Sequence, residues 1–200
     1  MFPRCELVAT RLRLRPLVLA DAPDIFAYAS DPCVTKFVEF ETHRSIVDSV
    51  AFVERTQSRH WQGITFGVEL VDQQRVIGTI ELRVTSRVEA VGDIGYVLAR
   101  PFWGQGYNVE AGAALLYYAF RVEQLRRVEA WCSPRNRRSF RTLEKLGMHR
   151  DPVVATGAGR TGNRAGYLHY SLTSTEWARH PLHRSWREFI RTYPLPRSCG

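Results

Sequence analysis

Three observations on this 200-residue chain predict an α/β fold with a mixed, mostly antiparallel central sheet and flanking helices. Extended runs at Ile64 to Val71, Val76 to Val84 and Ile94 to Leu98 follow one another across polar turns, the pattern of an antiparallel meander. The last run passes through a glycine turn into a helix and then a strand, Val128 to Cys132, a βαβ unit that requires one parallel pairing. The opening Thr10-Arg-Leu-Arg-Leu-Arg-Pro16 alternates strictly, with Leu12 and Leu14 on one face and Arg11, Arg13 and Arg15 on the other.

The elements follow in order. The alternating segment is a half-buried strand closed by Pro16. Asp21 is placed to cap a helix that has Pro23 in its first turn, turns Ile25, Phe26 and Ala29 inward, and ends at Asp31-Pro32. Ile46, Val50 and Val53 fall three or four apart and predict a helix over Ser45 to Thr56. After the meander, the helix beginning near Asn108 carries Val109, Ala113, Leu116 and Phe120 on one stripe. Asn136 caps a further helix with Phe140, Leu143 and Leu146 as its apolar positions and Gly147 as its stop. Met148 to Val154 and Tyr167 to Leu172 are expected to be the final strands, joined by a loop over Ala155 to Arg164. Residues 1–178 read as one domain and 179–200 as a C-terminal tail, whose Trp186, Phe189 and Ile190 are spaced to cover an apolar surface, on the chain's own domain or on a second copy. Monomer and homodimer both stay open.

Composition narrows the function. With 44% hydrophobic residues, the chain can bury a real core, and no apolar stretch is long enough to span a membrane. The polar amino terminus is unlike a signal peptide, so a cytoplasmic location is expected, with cysteines 5, 33, 132 and 199 as free thiols. No cysteine or histidine spacing suits a metal, and His180 and His183 read as surface residues. The net charge is +8, and nearly all the positive charge is arginine, scattered among apolar residues as on a solvated surface.

The chemistry centres on Ile94-Gly-Tyr-Val-Leu-Ala-Arg-Pro-Phe-Trp-Gly-Gln-Gly-Tyr-Asn-Val-Glu-Ala111. A strand delivers the chain, Gly104 and Gly106 let the backbone approach a ligand, and the helix start adds unpaired donors and a positive dipole end. No lysine followed by Ser or Thr comes after Gly106, as a Walker loop would need, and the third glycine of a Rossmann turn is missing. What remains is an anion cradle of backbone donors from Gln105 to Val109. Gly157-Ala-Gly-Arg-Thr-Gly162 matches a dinucleotide fingerprint in letters, but no helix start follows it.

Trp103-Gly-Gln-Gly-Tyr-Asn108 resembles the acetyl-CoA loop of the GNAT superfamily of N-acetyltransferases. Ile94 to Leu98, Val128-Glu-Ala130, Asn136 to Gly147, Thr10 to Pro16, Asp21-Ala22, Ser30-Asp-Pro32, Tyr170-Ser-Leu172 and Glu176-Trp177 are similar to the RimJ/RimL branch, over residues 9 to 177. The resemblance implies a GNAT-like sheet with a splayed strand and acetyl-CoA as co-substrate, with no metal. It puts the CoA pyrophosphate on the loop formed by Trp103, Gly104, Gln105, Gly106, Tyr107, Asn108 and Val109. The pantetheine would lie along Tyr96, Val97 and Leu98, with Asn136 bonded to it and Arg141 near the phosphates.

Three departures stand out: Trp103 where the general pattern has Gln or Arg, although W-G-x-G-Y is similar to the RimJ/RimL form of the loop, Asn108 where it has Gly or Ala, and Leu143 where many relatives carry a tyrosine that protonates the leaving thiolate. Ser139 is the hydroxyl that the RimL-like branch uses instead. Direct transfer needs a neutral amine and a proton acceptor, for which Glu81 and Asp93 are the candidates, Glu81 preferred. Glu110 is explained by the helix dipole. Glu39 and Glu41 could hold an amine but read as surface acidity. The expected function is acetyl transfer to a primary amine, on a protein N-terminus or a small molecule, with possible ribosome association. The alternative is a non-catalytic CoA-binding or RNA-associated module.

Overall fold

The computed structural model describes residues 6–58, 63–151 and 166–183. Its strands are β1 (Leu7–Val8), β2 (Leu12–Pro16), β3 (Gly63–Leu70), β4 (Arg75–Ser86), β5 (Val91–Leu98), β6 (Arg127–Cys132), β7 (His149–Asp151) and β8 (Leu168–Thr173). The helices are α1 (Ala22–Ala29), α2 (Pro32–Thr35), α3 (Ile46–Gln57), α4 (Tyr107–Arg121), α5 (Arg137–Lys145) and α6 (Ser174–Arg179). One eight-stranded sheet runs in the order β1-β2-β3-β4-β5-β6-β8-β7. Every neighbouring pair is antiparallel except β5 and β6, which the α4 crossover makes parallel.

Strand alternation divides the core into two layers. Ile80, Leu82, Ile94 and Leu98 face α4 and α5, while Val76 and Val97 face α1 and α3 with Leu17, Ile25, Tyr28 and Phe52. Helix α4 is buried almost all round, and its small residues Ala111, Gly112, Ala113 and Ala114 let it lie close to the sheet. The face of β2 opposite Leu12 and Leu14 is not simply solvated. Arg13 and Arg15 both pair with Glu69 of β3, which is 2% exposed, and Arg15 also forks onto Asp21 with two contacts of 2.8 Å.

Several local expectations are corrected. The Asp21 carboxylate does not cap α1; it takes the Val18 amide at 2.8 Å and the Arg15 fork instead. Asp31 ends α1 and caps the short α2 through the Cys33 amide at 2.8 Å. Strand β5 starts at Val91, three residues before the apolar run suggests. His180 and His183 are half-buried against Trp177, with ring centroids 5.7 and 5.9 Å away. The 155–164 loop with its glycine triplet, the end of the strand beyond Asp151, Cys5, Cys199 and tail residues Trp186, Phe189 and Ile190 lie outside the described residues. No described helix is long and apolar enough to cross a membrane.

Candidate active site

Strand β5 is treated differently on its two edges. Against β4 it pairs from Gly78↔Leu98 to Ser86↔Val91. Against β6 it pairs only through Val91, Gly92 and Asp93. Beyond Asp93 the two strands part, so the backbone of Gly95, Tyr96 and Val97 on that side meets a cleft instead of a strand. Peptide groups left without a strand partner need another acceptor or donor, and an extended amide-bearing ligand supplies one. Leu98 belongs to the same edge, but its carbonyl already accepts the Trp103 indole N–H at 2.6 Å.

Where β5 ends, the chain makes a short turn at Arg100–Phe102 and enters α4 through two glycines in the left-handed region, Gly104 at φ +78° and Gly106 at φ +83°. A side chain at either would be strained. The amides of Val109 and Glu110 donate to the Gly106 carbonyl at 3.1 and 3.0 Å. Those of residues 104 to 108 have no acceptor among the described residues and crowd the positive end of a 15-residue helix. The amides without an acceptor thus run from residue 104 to 108, where the sequence suggested Gln105 to Val109, because the Val109 amide is engaged. Asn108 falls in the first turn of α4 and lines the cleft.

Arg11 holds this turn in place. Its guanidinium donates to the Gln105 carbonyl at 3.1 Å and to Glu110 at 2.8 Å, and lies 4.3 Å from the Tyr107 ring centroid. Its backbone amide gives the other Glu110 oxygen a 2.7 Å bond. Glu110 thus does more than complement a dipole: it ties the cradle to the start of β2. Arg138 covers the Trp103 ring at 4.8 Å from the other side.

The parted strands, the glycine turn, α5 and the 33–44 segment enclose a cleft of about 1650 Å³. All the site residues expected from sequence line it except Gln105, whose side chain turns back to the Pro101 carbonyl at 2.8 Å. Asn136 caps α5, its Oδ1 accepting the Ser139 amide at 3.2 Å, which leaves its side-chain NH₂ available to a ligand. Arg141 is exposed at the cleft, and Leu143 is 1% exposed in the core, so the position of the family's tyrosine carries no proton here.

The proposed proton acceptors are unequal. Asp93 is bidentately bound by Arg83, one contact being Nε to Oδ1 at 2.9 Å. Burial opposes the charge on Arg83, but the hydrogen bond and charge of Asp93, with Glu81 and Glu39 behind them, hold its pKa above the ordinary value. A carboxylate forked in this way gives one lone pair of each oxygen to the guanidinium. Glu81 shares the cleft face of the sheet and stands opposite Gly95, where even an added Cβ would meet nothing within 4 Å. That open space is large enough to admit a small group beside the carboxylate. Glu39 and Glu41, read from sequence as surface acidity, are exposed but line the cleft.

Some participants were not singled out from sequence. Arg83 stands two residues from Glu81 on the same strand face, a signal that was available. His43 was not: it is 9% exposed, its Nδ1 bonds Ser49 Oγ at 2.8 Å, and burial lowers its pKa, so it enters the cleft wall as a neutral ring.

A sheet opened at one parallel pairing, with unpaired backbone amides at the end of the open strand, offers a site to a long anionic ligand. The family model for the acetyltransferase (GNAT) domain matches residues 11–149, and the chain belongs to that family; it is an acetyltransferase. It is 30% identical to the uncharacterized N-acetyltransferase YoaA of Bacillus subtilis (strain 168), over 77% of this chain and 87% of that one. The crystal structure of an acetyltransferase of the GNAT family from Bacillus anthracis is 26% identical, with a TM-score of 0.70 over 84% of this chain and 98% of that one. RimJ of Mycobacterium smegmatis, in complex with CoA-disulfide, shares the fold at a TM-score of 0.77 and 21% identity, covering 94% and 98%.

Proposed function

We propose that the chain transfers the acetyl group of acetyl-CoA directly to a primary amine, and that the amine is a protein N-terminus, as in the RimJ/RimL branch. The observation that carries this reading is the open β5 edge leading into the unpaired amides of residues 104 to 108. The cradle and the Asn136 side chain would hold the pyrophosphate and pantetheine, and the β5 edge would meet the acyl end. Backbone donors aimed at the acyl oxygen stabilise the charge that develops as the amine attacks.

Glu81 accepts the amine's proton through a water in the space over Gly95. Asp93 serves instead to hold Arg83. As the carbon–sulfur bond breaks, Ser139 donates a hydrogen bond to the leaving sulfur. Ser139→Ala should slow turnover with acetyl-CoA affinity retained, and unchanged turnover would remove that role. Similarity to the putative ribosomal N-acetyltransferase YdaF of Bacillus subtilis (strain 168), 29% identical over 62% of this chain and 66% of that one, supports a protein acceptor, and free Cys33 and Cys132 suit a reducing compartment.

The test is CoA release from acetyl-CoA with the purified chain, against peptides of varied N-terminal residue and a panel of small amines and polyamines. Peptide-dependent release is expected. Release with small amines alone would move the acceptor to that class, and release with none would sink the reading.

A further inference from the structure

The Tyr96 side chain crosses the gap left by the parted strands and reaches α5. Its hydroxyl lies 2.9 Å from the Ser139 carbonyl oxygen and 3.1 Å from Ser139 Oγ. The Ser139 amide is held independently by Asn136 Oδ1 at 3.2 Å. Ser139 is therefore held at its nitrogen by Asn136 and at its carbonyl and hydroxyl by one phenol, with the Cys132 thiol also hydrogen-bonded to its side chain. Cys132, at the end of β6, completes the pocket beside them.

We propose that Tyr96 is a positioning residue for Ser139, its phenol switching between two acceptors so that the serine hydroxyl becomes a stronger donor when a thiolate lies before it. The proposal rests on the role of Ser139 given above. A phenol has one proton to donate. With the cleft empty of thiolate, that proton satisfies the Ser139 carbonyl, and the serine hydroxyl can donate to the phenol oxygen. When sulfur gains charge, the serine hydroxyl turns to it, and the phenol O–H rotates from the Ser139 carbonyl to donate to Ser139 Oγ, 3.1 Å from the phenol oxygen, with no movement of heavy atoms. The resulting chain, Tyr96 O–H to Ser139 O–H to sulfur, is polarised along its length.

The atoms balance simply. The acyl carbon–sulfur bond breaks with its electron pair on sulfur, the thiolate leaves hydrogen-bonded to the Ser139 hydroxyl and takes its proton from solvent, and solvent receives the proton that Glu81 accepted, so Ser139 keeps its own proton throughout. Tyr96 keeps its own proton. Burial, partly offset by the bond to Ser139, pushes the phenol far above its ordinary pKa, and burial likewise pushes the Cys132 thiol up to about 11. No competing anion arises beside the leaving group.

The probe is CoA itself, bound to the full chain, with the thiolate absorbance followed against pH and desulfo-CoA as the blank. No acceptor is needed. Ser139→Ala should raise the bound thiol's pKa by about one pH unit, the size of one charge-assisted hydrogen bond. Tyr96→Phe should raise it by roughly half as much, and should add nothing in the Ser139→Ala background, a coupling that a merely structural tyrosine would not produce. If Tyr96→Phe fails to fold, 3-fluorotyrosine at position 96 is expected to alter the bound thiol's pKa in the wild-type chain and not in Ser139→Ala. A shift from Ser139→Ala but none from Tyr96 changes, or additive shifts, would overturn the Tyr96 proposal alone. No effect of Ser139→Ala would remove the role of Ser139 and this proposal with it, and failure of CoA to bind would remove the functional reading itself.

Discussion

The two edges of β5 carry opposite designs. Toward β4 the pairing runs from Leu98 back to Val91 with a single register shift between Val84 and Ser86, and β2 and β3 are locked further by Arg13 and Arg15 on Glu69. Toward β6 it stops after Asp93. Ladder bonds given up on one edge are what leave backbone donors and acceptors for a ligand, and this is affordable because the rest of the sheet is held elsewhere. Stability and chemistry are thus separated within one sheet, and substitutions on the two sides should separate in the same way.

The largest effect belongs to the locked side. Glu69→Ala would remove the buried carboxylate that Arg13 and Arg15 share, leaving Arg15 only its Asp21 fork, and should lower stability by about 3 kcal/mol, as removal of one partner of a buried ionic network does. The fraction that stays folded should keep its kcat, measured alongside chemical denaturation; an intact stability would break the contrast. On the open side, Glu81→Gln should cut kcat/KM by about a hundredfold, within the range of a lost general base, with the denaturation midpoint nearly unchanged. A comparable loss from Asp93→Asn without destabilisation would reverse the two assignments. Smaller again, Gly106→Ala forces a side chain into the left-handed region, at about 1–2 kcal/mol. It should weaken acetyl-CoA binding by about tenfold with kcat at saturation retained, which a titration and a saturation curve together would reveal.

Much of the open side was legible locally. The glycines at 104 and 106, the helix start and the Asn136 cap are short-range features, and residues within a few positions decide them. What escaped depends on distant partners. Arg11 and Glu110 stand 99 positions apart, Tyr96 and Ser139 43, and Arg13 and Glu69 56, so no periodicity announces them. The β2 arginines read as a solvated stripe for the same reason. The parting of β5 from β6 is itself a missing pairing, which leaves no mark in either strand's sequence; it was expected only through family resemblance. Asp93 shows the limit well: its place in the cleft followed from β5, whereas its commitment to Arg83 depends on cross-strand register.

The central claim is that the open β5 edge and its amide cradle form one site for acetyl-CoA. Calorimetric titration of acetyl-CoA into the full chain tests it most directly. Saturable binding at one site per chain, weakened by Gly106→Ala and left intact by Glu81→Gln, is the predicted result; no detectable binding would contradict the account.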